Sequence, residues 1–256
     1  MNNRFWLILA LVAAAYLVFW AVMLVATATY TSPSEVWNVL ASREIRYATV
    51  LSLATCTITA VLSLLIAVPV SYLMSRRRFP GHTLVDAALD IPIVLPPMVV
   101  GLCLLIFFQT GVGHLIEKVI PFTYTIAGVV LAQWVIAAAF AIRSMRGVFD
   151  HLSARPEDVA MTLGCTRWQA LWHVTLPAAR PGMFAAGSIA WARSLGEFGP
   201  VLVFAGATRM KTEVLPTSVW LALSAGELEQ GVAVSLLMIA LSMIVLVAIR
   251  ITGERA

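Results

Sequence analysis

The chain has 256 residues, 61% of them hydrophobic and 12% charged, where soluble domains run at roughly 45–50% and about 25%. Mean hydropathy is +0.91 and the net charge only +4, which excludes disordered, collagen-like and ordinary water-soluble classes and gives no sign of a nucleic-acid partner. Cys56, Cys103 and Cys165 lack metal-ligand spacing to the four histidines and form neither a disulfide framework nor a zinc site.

The composition reads as an all-α membrane protein with a single transmembrane domain over residues 1–256. A crossing helix needs about 20 apolar residues, because lipid offers its backbone no hydrogen bonds. Six stretches qualify. The first, Phe5–Thr29, carries no charge. Arg4 ahead of it and Ala26-Thr27-Ala28 within it have the look of a secretory leader, but the apolar run far exceeds the usual ~7–15 residues, so it is read as a retained anchor. The next three spans cover residues 47–75, 91–108 and 125–142. In the third, Pro92, Pro96 and Pro97 must interrupt backbone hydrogen bonds, either to bend the helix for packing or to take part in substrate passage.

The segment after the fourth span, residues 143–180, holds the densest local signals. Pro156 suits a first helical turn, and Glu157 and Asp158 suit its positive dipole end. Gly164 should stop that helix. Thr166 and Gln169 then form a capping-box pattern for a second, with Trp168, Leu171, Trp172 and Thr175 on one face and Leu176-Pro177 as its end. Two indoles on a short polar loop need an apolar partner, which the protein's own spans, the lipid interface or a groove in another subunit would each supply.

The fifth span, 183–205, is flawed by Arg193 and Glu197, four residues apart on one helix face. Such charges either tie the span to its neighbours or line a route across the membrane. With Ser188, Ser194, Pro96 and Pro97 they make the candidate pathway or gate. Between this span and the sixth, 232–249, the residues Arg209, Lys211, Glu213, Glu227 and Glu229 surround an apolar stretch, 214–223, that is too short to cross and reads as a surface or re-entrant helix. Gly206 to Thr212 superficially resembles a phosphate-binding loop but lacks the glycine before Lys211, so nucleotide chemistry must come from another polypeptide.

Charge placement orients the chain. With both termini inside, the inner segments hold Arg4, Arg76, Arg77, Arg78, Arg143, Arg146, Arg155, Arg167, Arg180, Arg250 and Arg255, and the outer ones only Arg43, Arg46, Lys118, Arg209 and Lys211. The 153–177 loop is then cytoplasmic.

That loop carries a family resemblance. Glu157 through Gly164, then Trp168 and Val174-Thr175-Leu176-Pro177, resembles the signature of permease subunits of ATP-binding-cassette importers: Glu-Ala-Ala, three residues, Gly, then an apolar helix ending in Leu-Pro. Here Asp158-Val159-Ala160 stands in place of Glu-Ala-Ala. Phe79-Pro80-Gly81, the run from Asp90 to Pro97 with Gly101, and the run from Ala192 to Gly199 are similar to blocks of the molybdate branch, which is related to sulfate and tungstate permeases. The resemblance implies a coupling loop seated in a cleft of a separate ATPase, with Glu157, Asp158, Ala160, Gly164, Trp168, Leu171, Trp172, Leu176 and Pro177 as its coupling residues. It implies two ATPase copies that hold ATP and Mg, a homodimer of this chain, and an extracytoplasmic binding protein docked near Arg209, Lys211 and Glu213. The chain itself would carry no catalytic residue, metal or cofactor, and would sit in a bacterial or archaeal cytoplasmic membrane. The implied cargo is a tetrahedral oxyanion, molybdate or tungstate, with sulfate open. Two other classes weighed are an ion-gradient-driven transporter, for which Glu197 alone is a suitable mid-membrane acid, and an intramembrane enzyme, for which no H-E-x-x-H occurs.

Overall fold

The computed structural model describes residues 3–253. Arg255, and the side chains of Arg4 and Arg250, on which the orientation count draws, lie outside the described residues. Among those described, every regular element is helical: α1 Asn3–Thr29, α2 Pro33–Ala41, α3 Arg43–Arg76, α4 His82–Val94, α5 Pro97–Phe108, α6 Gly111–Glu117, α7 Ile126–His151, α8 Arg155–Thr162, α9 Arg167–Ala170, α10 Leu176–Leu195, α11 Leu215–Ala225 and α12 Leu228–Gly253. Two π-helical turns, Leu171–Thr175 and Val201–Ala205, flank α10.

The core is a three-helix packing of α3, α7 and α10. Small side chains make it possible. Ala60 and Ala67 of α3 cluster with Ala137 and Ala141 of α7, and α10 adds Ala179, Ala186 and Ala190. Such residues let backbones approach, and the polar ones cross-link helices where no water competes. Thr59 Oγ1 donates to Gln133 Oε1 at 3.3 Å, and Ser71 Oγ donates to the Ile142 carbonyl at 2.8 Å. A second cluster stacks Phe108 on Phe204, 5.1 Å between centroids, and a third joins Val39, Ile45, Leu215 and Val234. By contrast α1 is apolar all round and almost wholly exposed, with its contacts on α12, as a helix bathed in lipid or a partner would be.

Among the described residues, four helices are long and apolar enough to cross a membrane: α1, α3, α7 and α12. The expected third span, 91–108, is not one helix. It breaks at Leu95 and Pro96, and α4 and α5 meet at a 109° bend. Pro96 and Pro97 have no N–H to continue the ladder, and Leu95 is extended. Counted as a pair, α4 and α5 make a fifth crossing. The expected fifth span, 183–205, also differs: its helix starts earlier, at Leu176, and stops at Leu195, and a non-helical stretch ahead of Val201 interrupts it. Length and apolarity therefore support four or five crossings among the described residues, where the sequence predicts six.

Candidate functional site

The 153–177 loop folds as its signals predict at three points. Pro156, Glu157 and Asp158 fill the first turn of α8. Gly164 ends it at φ +98°, a conformation that side chains rarely adopt, while the Cys165 N–H reaches back to the Ala160 carbonyl at 3.0 Å. Thr166 then caps α9: its Oγ1 accepts from the Gln169 N–H at 3.3 Å, and Gln169 Oε1 accepts from the Thr166 N–H at 2.8 Å. The result is two short helices joined at a fixed elbow.

Their outer surface carries an apolar ridge among exposed polar residues. Trp168 is 67% exposed and Trp172 54%, edge to face at 5.8 Å, and Leu163 and Val159 extend the same exposure. The chain leaves more than half of each indole uncovered. Asp158 and Pro177 are also exposed, whereas Ala160, Leu171 and Leu176 are half-buried.

Two expectations for this loop are corrected. Leu176-Pro177 does not end the helix. The Leu176 N–H reaches back five residues to the Leu171 carbonyl, and this wider turn admits the Pro177 ring, which an α-turn would set against an earlier carbonyl. Glu157, expected on the ATPase-facing surface, is 5% exposed and points inward. Its carboxylate accepts hydrogen bonds from the Tyr72 hydroxyl and, at 3.1 Å, from Thr175 Oγ1, and lies 3.5 Å from Arg76 Nε. Sequence reasoning missed Tyr72, Arg76 and Thr175 as functional partners. The available signal was a basic residue in the last turn of α3 beside an acid in the first turn of α8.

Of the pathway candidates, Ser188 and Arg193 share a groove of about 400 Å³ with Phe140, Ile189, Ala192 and Leu246. Arg193 lies 3.1 Å from Glu197 and 5.4 Å from the Phe140 ring centroid, so its charge is met by a carboxylate and an aromatic face. Glu197 is 1% exposed. Ser194 is turned away from the groove and donates to the Ala190 carbonyl at 2.7 Å. Pro96 and Pro97 lie at the α4–α5 elbow, with Pro97 packed on Gly199. Four residues past the α5 start, the fit is closer still: a Cβ on Gly101 would stand 2.7 Å from the Pro200 Cα. The breaks in the third and fifth spans are thus stacked on each other.

At the opposite end of the core, Arg209 pairs with Glu44 at 3.0 Å on the surface, and Lys211 is exposed. Glu213, expected beside them as a docking contact, is instead 3% exposed. It accepts from Ser218 Oγ at 2.8 Å, and burial pushes its carboxyl above the ordinary range. The apolar stretch that follows forms α11, close to its expected bounds.

Comparison with known proteins follows these features. Residues 62–255 match the family described as binding-protein-dependent transport system inner membrane component. The chain is 31% identical over 225 residues to the sulfate transport system permease protein CysT of Escherichia coli, covering 87% of this chain and 81% of that protein. It is 33% identical over 240 residues to the molybdenum transport system permease protein ModB of Mycobacterium tuberculosis, covering 93% and 90%. With the molybdate/tungstate permease WtpB of Thermococcus kodakarensis it shares 36% identity over 154 residues, 60% of this chain and 58% of that one. Among solved structures, a bacterial ABC transporter that imports alginate superposes with a TM-score of 0.77 at 16% identity, over 99% of this chain and 96% of that chain.

Proposed function

The chain belongs to the binding-protein-dependent inner membrane components, the permeases of type I ABC importers, and from that premise we propose that it carries a tetrahedral oxyanion, molybdate or tungstate, inward across a cytoplasmic membrane. It is a transport component and not a catalyst. In this reading α10 completes six crossings, both termini face the cytoplasm, and two copies of the chain enclose the route. A separate ATPase, also in two copies, holds ATP and Mg. A substrate-binding protein delivers the anion at the Arg209 and Lys211 end.

The observation that carries the proposal is the exposed Trp168–Trp172 ridge on the rigid α8–α9 elbow. An apolar ridge of this kind on a capped helix pair fits a groove in a partner. Closure of the ATPase pair on ATP draws the two elbows together, and the core helices turn the cavity outward; hydrolysis resets it. Selectivity then resides mainly in the binding protein, which suits the few polar groups around Arg193.

Sulfate is the second reading, favoured by the 31% identity to CysT over 87% of the chain. The test is reconstitution with the neighbouring ATPase and binding protein. Import of molybdate that requires ATP supports the proposal. ATP-dependent import of sulfate alone moves the assignment to the second reading, and import that survives ATP removal but collapses with the proton gradient refutes both.

A further inference from the structure

Glu157 occupies the first turn of an exposed helix pair, yet its carboxylate is enclosed. Tyr72 and Arg76 reach it from the end of α3, and Thr175 from the π-turn that leads into α10. Arg76 does more than neutralise it. Its two terminal nitrogens donate to the Phe149 and Leu152 carbonyls at 3.0 Å each, closing the C-terminal end of α7. One carboxylate and one guanidinium therefore join α3, α7, α8 and the root of α10.

One covalent route out of the elbow is soft, while the other, from α9 through the π-turn into α10, is unbroken helix. Between α7 and α8 the chain runs through Leu152, Ser153 and Ala154, none of them helical, and such a link bends before it pushes. The side-chain joint does not bend cheaply, because moving α8 away from the core would leave a buried charge without its partners. We infer that this joint, and not the 152–154 link, transmits displacement of α8 to the ends of α3 and α7, which makes Glu157 a positioning residue for energy coupling. The inference rests on the permease reading.

The test uses the chain assembled in liposomes with its ATPase and binding protein, supplied with radiolabelled molybdate and, in parallel, sulfate. ATP hydrolysed and anion imported are read on the same sample. Glu157→Ala is expected to hydrolyse ATP within about twofold of the wild type while importing about tenfold less anion per ATP. Glu157→Gln keeps the shape and one hydroxyl bond, and falls between them. An unchanged ratio in Glu157→Ala overturns the inference. So does a proportional loss of hydrolysis and import together with a lower melting temperature, which assigns Glu157 to folding alone. If Glu157→Ala fails to assemble, Thr175→Val, which removes a single bond, carries the same ratio test. A wild-type assembly that imports neither anion counts against the permease reading instead. The joint is then decided on the isolated chain by amide hydrogen exchange over residues 155–175, which Glu157→Gln accelerates if the joint anchors the loop and leaves unchanged if it does not.

Discussion

The two ends of the core each bury a glutamate, and they do so differently. Glu157 receives two hydroxyl donors and a guanidinium. Glu213 receives the Ser218 hydroxyl, and its Oε2 is buried without a partner. Their surroundings are inverted as well: the Glu157 end presents indoles outward, and the Glu213 end presents the exposed Arg209–Glu44 pair. The carboxylate with more partners holds segments in register. Burial of the one with fewer raises its affinity for a proton. The first end ties helices together through side chains, and the second exposes an ion pair to its surroundings.

The comparison is broken most severely by Arg76→Met. It leaves Glu157 buried without a cation, and unfolding in detergent should show a loss of about 3 kcal/mol or more. Retained stability would mean that the hydroxyls alone satisfy the acid. Next in size is Trp168→Glu combined with Trp172→Glu, which places charges on the ridge. ATP-driven uptake should fall about a hundredfold, with membrane insertion intact by fractionation. Uptake at the wild-type level would remove the ridge from any coupling role.

The Glu213 end predicts a smaller effect of opposite sign. Its folded-state carboxyl binds a proton more tightly than the unfolded one. Its contribution to stability is therefore complete below the ordinary carboxylate range and is lost as pH climbs through the raised value. Glu213→Gln should accordingly raise the melting temperature at neutral pH by a few degrees and flatten its decline between acid and neutral conditions. A melting curve series that keeps its slope would show that another group titrates there. Smallest is Arg209→Ala: both partners of its ion pair are about half exposed, so the loss should stay below about 1 kcal/mol by the same unfolding assay.

What was legible in the sequence were local signals with one physical meaning. Gly164 stops α8, Thr166 and Gln169 start α9, and α1, α3 and α12 coincide with charge-poor apolar runs to within a few residues, while α7 runs on nine residues past its predicted end. What was not legible depended on partners distant in the chain. Glu157 looks like a surface acid until α3 is folded against it. Arg76 reads as an orientation charge, although it closes α7 through carbonyls more than seventy positions away. Pro177 reads as a terminator, because nothing local announces the π-turn that accommodates it. The 109° elbow ahead of Pro97 was signalled by its prolines but not in size, since the Gly101–Pro200 contact helps to set it.

The π-turn at Leu171–Thr175 has a mechanical consequence. It stores one residue of slack at the root of α10. Winding that residue into ordinary α-helix would rotate everything downstream by about 100° and shift it by about 1.5 Å along the axis. Arg193 rides on that shaft and Glu197 lies just past its end, so rewinding the turn near Thr175 would change which neighbours they face.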